Sequence, residues 1–295
     1  MQTKIKRILG ISYPDFLDQN DIDLRYIKQV VRSPLQGAHT ITEILEYDHW
    51  PSTDWFDFQV IKEQCRSIRE NGRVVVFMGD RLNRMAQLKP ACYLRGFEQI
   101  YVDMMENPDL ARAVFNRISE FYMEYGRRIL IAADGQIDIL CTGDDFGSQN
   151  APLISVDMWR DFIKPGFRNF LKLGKEYGCY VMHHTCGSIV QLIPDMIDCN
   201  LDILQSLQPE ARGMDPLTLK QNFGNRICFQ GGISIQDILP HGSPEDVRRH
   251  VQNVLGTMSP GGGYIACTSH NIQADTPIRN LQALLDSYRD FGRYH

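Results

Sequence analysis

From residue 60 to the C-terminus, short apolar runs alternate with longer stretches in which apolar side chains recur every three to four positions. Runs of four to six apolar residues bounded by turn formers read as buried strands, and the longer spacing reads as amphipathic helix. The pattern predicts strands over 74–79, 137–140, 180–184, 202–207, 226–230 and 264–268. Between and after them it predicts helices over 60–71, 108–132, 157–177, 189–198, 215–222, 245–257 and 278–290.

Repeated strand-helix units favour a parallel sheet, wound open or closed into a barrel. Five of the strands run into polar or glycine-rich ends: Thr142-Gly143-Asp144-Asp145, His184-Thr185-Cys186-Gly187, Gln205-Ser206, Gln230-Gly231-Gly232 and Ser269-His270-Asn271. An open sheet gathers its ligands at one switch point, whereas a barrel uses many strand ends on one face. So many such ends therefore point to an α/β barrel. No linker or repeat interrupts the chain, which reads as a single domain over 1–295. Residues 1–60 are the least regular part, an expected N-terminal flank or lid with a turn at Ser12-Tyr13-Pro14-Asp15 and an aromatic, acidic stretch from Trp50 to Trp55.

Of the 295 residues, 43% are hydrophobic and 23% charged, ordinary values for a chain with a large core. The net charge of -5 leaves no general basic surface, so nucleic acid and anionic membranes are not expected partners. No apolar run reaches the roughly 20 residues that span a bilayer, and a cytoplasmic location is expected. The eight cysteines, at 65, 92, 141, 179, 186, 199, 228 and 267, are scattered and read as reduced, packed thiols.

Alternate side chains of a strand share a face, so Tyr180, Met182, His184 and Cys186 point one way while Val181, His183 and Thr185 point the other. His184 and Cys186 can thus reach one ion together. Zinc accepts imidazole and thiolate, and its catalytic sites use three protein ligands and an open position. A third ligand has to come from elsewhere, from His270 just past the last strand or, as a fallback, from Cys267 within it. A core histidine beside a packed thiol has the same spacing, and the residues alone leave both readings open.

Asp144 and Asp145 can orient a ligand histidine, supply a carboxylate ligand or act as acid and base; helix capping is the alternative. Gln149, Gln230 and Asn271 are candidate substrate-binding groups; a loop polar group facing water is the alternative for Gln149, while Asn271 and Gln273 either bind substrate or brace the loop. Gly231, Gly232 and Gly261 to Gly263 allow a close backbone approach or simply a turn. Tyr93, Arg95 and Phe97 form an aromatic, partly basic segment that either lines a pocket or packs as a helix edge.

Taken in order, Gly143 to Gln149, His184 to Ser188, Phe229 to Gly232, and Gly261 to Tyr264 running to His270-Asn271-Ile272-Gln273 resemble the uroporphyrinogen decarboxylase superfamily. The resemblance covers about Trp50 to the C-terminus, and is greatest to the zinc-dependent methyltransferases of corrinoid systems, in particular those associated with O-demethylation. It implies a (β/α)8 barrel, and a zinc held by His184, Cys186 and a third ligand after the glycine-rich turn. That third position falls on His270, where these methyltransferases carry cysteine and the metal-free decarboxylases carry histidine. The implied activity moves a methyl group between a small methylated, methoxylated substrate and a corrinoid carried on a partner protein, with room for a homodimer.

The decarboxylases carry a Met-Arg-Gln-Ala-Gly-Arg segment whose arginines hold the carboxylates of the tetrapyrrole, and residues 1–60 contain nothing like it. Carboxylates left unpaired on desolvation are costly, so tetrapyrrole decarboxylation ranks second. A barrel that merely binds a corrinoid or tetrapyrrole is the third reading. Relatives of this kind lead one to expect a longer N-terminal segment.

Overall fold

Six strands form where the apolar runs lie: β1 (Val76–Phe77), β2 (Ile139–Gly143), β3 (Tyr180–His184), β4 (Ile203–Leu207), β5 (Cys228–Ile233) and β6 (Tyr264–Thr268). They belong to a computed structural model that describes residues 33–79 and 84–293. Each strand pairs in parallel with the next, in the order β1 to β6. Helical crossovers between consecutive strands impose that order. β1 is much shorter than the expected run over 74–79, because just two of its residues meet β2 and Val75 N is taken by the Asp138 carboxylate.

The connecting helices are α1 (Ile41–Leu45), α2 (Ile61–Glu70), α3 (Leu88–Arg95), α4 (Phe97–Glu106), α5 (Pro108–Ala133), α6 (Val156–Met158), α7 (Lys164–Glu176), α8 (Ile193–Asp198), α9 (Pro216–Phe223), α10 (Ile238–His241), α11 (Pro244–Met258) and α12 (Ile278–Phe291). The helix expected over 157–177 forms without a gap, as α6, a π turn at Trp159–Ile163, and α7. Pro165 accounts for the π turn, since it has no amide hydrogen to continue the regular α-helical ladder. No described helix is long and apolar enough to cross a membrane.

The two faces of the sheet carry two separate cores, as the period of two requires. Leu140, Val181, Leu204 and Phe229 point outward into the main cluster beneath the helices, each at most 1% exposed. Their strand neighbours Cys141, Met182 and Ile203 pack on the inner face with Ile139, Cys228 and Ile265. A flat sheet would set the ends of β3 and β6 about 14 Å apart, three strand spacings. Instead the ring of His184, at the end of β3, lies 5.8 Å from that of His270, beyond β6. The sheet is therefore curled, with its inner face concave; among the described residues no further strand closes it.

Residues 1–32 of the expected flank, including the Ser12 to Asp15 turn, lie outside the described residues. Over 33–60 the chain makes short turns: α1, which begins with a Thr40/Glu43 capping box, and a 3-10 turn at Thr53–Trp55. This stretch is bound to the helices by Arg95, whose guanidinium donates to the carbonyls of Leu35 and Gln36 and pairs with Asp103 at 2.5 Å. Arg95 is thus an anchor, 3% exposed, which agrees with the packed helix edge rather than the pocket lining among its two sequence readings. Phe97 is exposed and rests against Tyr101.

On the outer face His183 stacks on Phe146 at 5.2 Å, meets Phe167 edge-on and contacts Thr142 Oγ1 at 2.8 Å. Burial pushes its pKa down to about 3. The ring is therefore a neutral packing element that joins β2 and β3 to α7.

Two outcomes follow from this packing. Truncating Asp103 to alanine leaves a buried guanidinium without its counter-charge, and urea unfolding should show a loss of about 3–5 kcal/mol. For His183 the unfolded ring takes a proton near pH 6.5 while the folded ring resists until about pH 3. Its contribution to stability is complete above pH 6.5 and is lost as the pH falls towards 3, with a slope of up to about 1.4 kcal/mol per pH unit. Urea midpoints measured from pH 7 to pH 5 should fall more steeply for the wild type than for His183→Phe, which cannot titrate; equal slopes would contradict this account.

Candidate metal centre

Two loops, one after β2 and one after β3, build the floor of the site. Phe146 N donates to Thr185 Oγ1 at 3.0 Å, Cys186 N to Asp145 Oδ1 at 3.2 Å and Ser188 N to Ser148 O at 2.7 Å. The loops approach so closely that a Cβ on Gly187 would stand 2.5 Å from the carbonyl of Gly147, and one on Gly147 would stand 2.7 Å from Ser188 N. The glycines of the Asp-Asp-Phe-Gly and His-Thr-Cys-Gly elements are there for this backbone-to-backbone contact.

His184 is 8% exposed and projects from the inner face of β3. Its Nδ1 lies 3.0 Å from Gln205 Oε1, and Gln205 Nε2 donates in turn to Gln230 Oε1 at 3.0 Å. A carbonyl oxygen can accept but not donate, so His184 carries its proton on Nδ1 and presents the Nε2 lone pair. Burial pushes the ring pKa down to about 4, which keeps that lone pair free near neutral pH. Gln230, a candidate substrate-binding residue, is the outer end of this relay.

Cys186 Sγ stands 3.6 Å from His184 Nε2 and 3.4 Å from Ser206 Oγ. Burial raises its thiol above the ordinary value. Ser206 has a φ of +78° at a register shift between Gln205 and Leu207, a bulge that turns its hydroxyl toward the rim. That hydroxyl donates to Ser269 O at 2.7 Å, which draws the loop after β6 across the concave face and delivers His270.

One nitrogen of His184, Cys186 Sγ and one nitrogen of His270 lie within 4.8 Å of one another. Zinc at about 2.3 Å from sulfur and about 2.0 Å from nitrogen, in tetrahedral geometry, separates such ligands by about 3.5 Å. The His184 to Cys186 edge already has that length. Two imidazoles and a thiol are a competent donor set for zinc, and the exposed side of the cluster at His270 leaves a position open. Cys267 is not part of the group.

The two carboxylates differ. Asp145 Oδ1 is 3.7 Å from His184 Nε2, and its other oxygen faces Lys89 Nζ at 3.8 Å. Burial raises its pKa, but His184, the Cys186 amide and Lys89 outweigh that and hold it below the ordinary value. Asp144, expected to share the chemistry, instead accepts from the backbone amides of Gln87, Leu88 and Lys89 at the start of α3. Its oxygens are consumed in anchoring that helix, while burial pushes its pKa up to about 6. Gln149 accepts from Gln208 and braces the loop, and Asn271 is exposed beyond His270. The two cations beside the site, Arg84 and Lys89, carried no signal in the sequence, and Gln205 and Ser206 stood out there just as a polar strand end, with no role attached. An inward polar residue after inward Ile203 on β4 was the signal available for Gln205.

A protein-family model described as uroporphyrinogen decarboxylase (URO-D) matches residues 35–291. Over 240 residues the chain is 25% identical to a methylated-thiol–coenzyme M methyltransferase of Methanosarcina mazei, covering 76% of this chain and 60% of the relative. It is 24% identical over 148 residues to methylcobamide:CoM methyltransferase MtaA of Methanosarcina barkeri, 50% of this chain and 40% of the relative. A uroporphyrinogen decarboxylase of Coxiella burnetii is 18% identical over 298 residues, 96% of this chain and 77% of the relative. The solved structure of a methyltransferase from Methanosarcina mazei shares the fold with a TM-score of 0.61 at 20% identity, over 79% of this chain and 64% of that one. The chain thus spans well under two thirds of the length of both methyltransferase relatives.

Proposed function

The chain belongs to the uroporphyrinogen decarboxylase family, and we propose that within it the protein is a corrinoid-linked methyltransferase, moving a methyl group from a small methoxylated substrate to a corrinoid carried by a partner protein. The observation that carries this reading is the convergence of His184, Cys186 and His270, with His184 already turned by Gln205 to offer its Nε2. The two methyltransferase relatives support it. In the same reading the curled sheet belongs to a complete (β/α)8 barrel, and the cluster sits at the C-terminal rim, where barrel enzymes place their chemistry.

His184, Cys186 and His270 would hold a zinc ion, which would supply Lewis acidity at the open position towards the oxygen of a methyl ether. Two neutral imidazoles and one thiolate leave a divalent ion with one net positive charge, whereas a second thiolate would cancel it. The His270 position thus favours polarising an oxygen over holding a thiol acceptor as thiolate. A reduced corrinoid on the partner protein would supply the electron pair for the new bond to carbon, and the pair of the ether bond would remain on the departing oxygen. Gln205 and Gln230 hold the ring of His184, Ser206 holds the His270 loop, and ionised Asp145 orients the polar end of the substrate at the open side.

Metal analysis after zinc reconstitution should find about one zinc per chain, and near-stoichiometric loss in His184→Ala, Cys186→Ala and His270→Ala. A folded wild type that takes up none would end the proposal. With cob(I)alamin and a panel of methoxylated aromatic compounds, the spectrum should convert to that of methylcobalamin, at least about 100-fold more slowly in His270→Ala. No conversion with any donor would sink the assigned direction and substrate class, and conversion of uroporphyrinogen to less carboxylated products would favour the decarboxylase reading instead.

A further inference from the structure

Beside the donor cluster lies a cavity of about 230 Å³ that metal binding does not use. Its wall carries two cations, Arg84 and Lys89, and an aromatic and aliphatic lining that includes Tyr93, Leu94 and Tyr122. Asp145 belongs to both features, since it lines the cavity and reaches His184.

Arg84 is the member that asks for a ligand. Its Nε is buried without a hydrogen-bond partner, and no carboxylate pairs with it among the described residues. Its stem lies against Gly143, where a Cβ would come within 2.4 Å of Arg84 Cδ, so a side chain at 143 would displace the arginine. The acidic groups close by are already engaged. Asp144 accepts from three amides of α3, and Asp145 accepts from Cys186 N and faces Lys89. A donor that water cannot reach costs free energy until an acceptor arrives, and the planar guanidinium matches the paired oxygens of a carboxylate or sulfonate.

We propose that this cavity binds a small organic acid, with the anionic head on Arg84 and Lys89 and the apolar body against Tyr93, Leu94 and Tyr122. The far end of such a molecule passes Asp145 towards His184, Cys186 and His270. That the far end bears the transferable methyl group rests on the methyltransferase reading; the binding of the acid does not.

Isothermal titration of the full chain with 3-methoxybenzoate, butanesulfonate and methoxybenzene tests the proposal. At least one of the two acids should bind 10-fold or more tightly than uncharged methoxybenzene, and the tighter of the two assigns the body as ring or alkyl chain. Arg84→Met should weaken that acid about 10- to 100-fold, the range of a charge-assisted hydrogen bond, and leave methoxybenzene unchanged. Arg84→Lys should lose less. Equal affinity for charged and neutral probes would overturn the proposal, as would a folded Arg84→Met chain that binds the acid like the wild type. If Arg84→Met does not fold, Lys89→Met carries the same comparison, with a several-fold loss expected and none overturning it. His184→Ala should bind the acid within about twofold of wild type. A chain that binds the acid but takes up no zinc rejects the methyltransferase reading alone, and one that takes up zinc without binding either acid rejects this proposal alone.

Discussion

The hydroxyl of Ser206 donates to the carbonyl of Ser269, and through that bond the end of β4 holds the loop that carries His270. Two strand spacings separate β4 from β6, about 10 Å in a flat sheet, so the contact is made across the concave face. Ser206 reaches it because the bulge sets its φ at +78°. The facing strand has to yield room: a Cβ on Gly231 would stand 2.7 Å from Leu207 N. Bulge, glycine and hydroxyl therefore form one device, and the third donor of the cluster depends on all of it.

Around this device the charges are kept few. His184 is held neutral by burial, and the thiol of Cys186 is raised. Asp144, at the end of β2, is turned away from the cluster, its oxygens taken up by the amides at the start of α3. Asp145 is left as the carboxylate that faces the open side, with Lys89 beyond it. A divalent cation entering the cluster would meet one anionic group and a set of side chains whose own partners already fix their orientation.

Much of the frame was legible in the chain. The period-two alternation set His184 and Cys186 on one face, and the apolar runs located all six strands to within a few residues. The order of strand ends along one rim also follows from parallel pairing. What escaped was set by contacts between distant segments. Asp144 caps a helix 55 to 57 residues upstream, a role that nothing in Gly143-Asp144-Asp145-Phe146 distinguishes from chemistry. Gln205 acquires its role from His184, 21 residues away, and the bulge at Ser206 appears when β4 meets Gly231. Arg95, open in sequence to pocket lining or helix-edge packing, is a buried anchor because Asp103, in the next helix, supplies its counter-charge.

The seam between the loops after β2 and β3 is made of main chain, with Gly147 and Gly187 in contact and amide-to-carbonyl bonds on either side. Two side chains reinforce it, Thr185 Oγ1 accepting from Phe146 N and Asp145 Oδ1 from Cys186 N. The positions of Asp145 on one loop and Cys186 on the other are therefore set by the same seam. It works as a hinge pin with no slack: a single methyl group at Gly147 or Gly187 would wedge the two loops apart and carry Asp145 and Cys186 out of reach of each other.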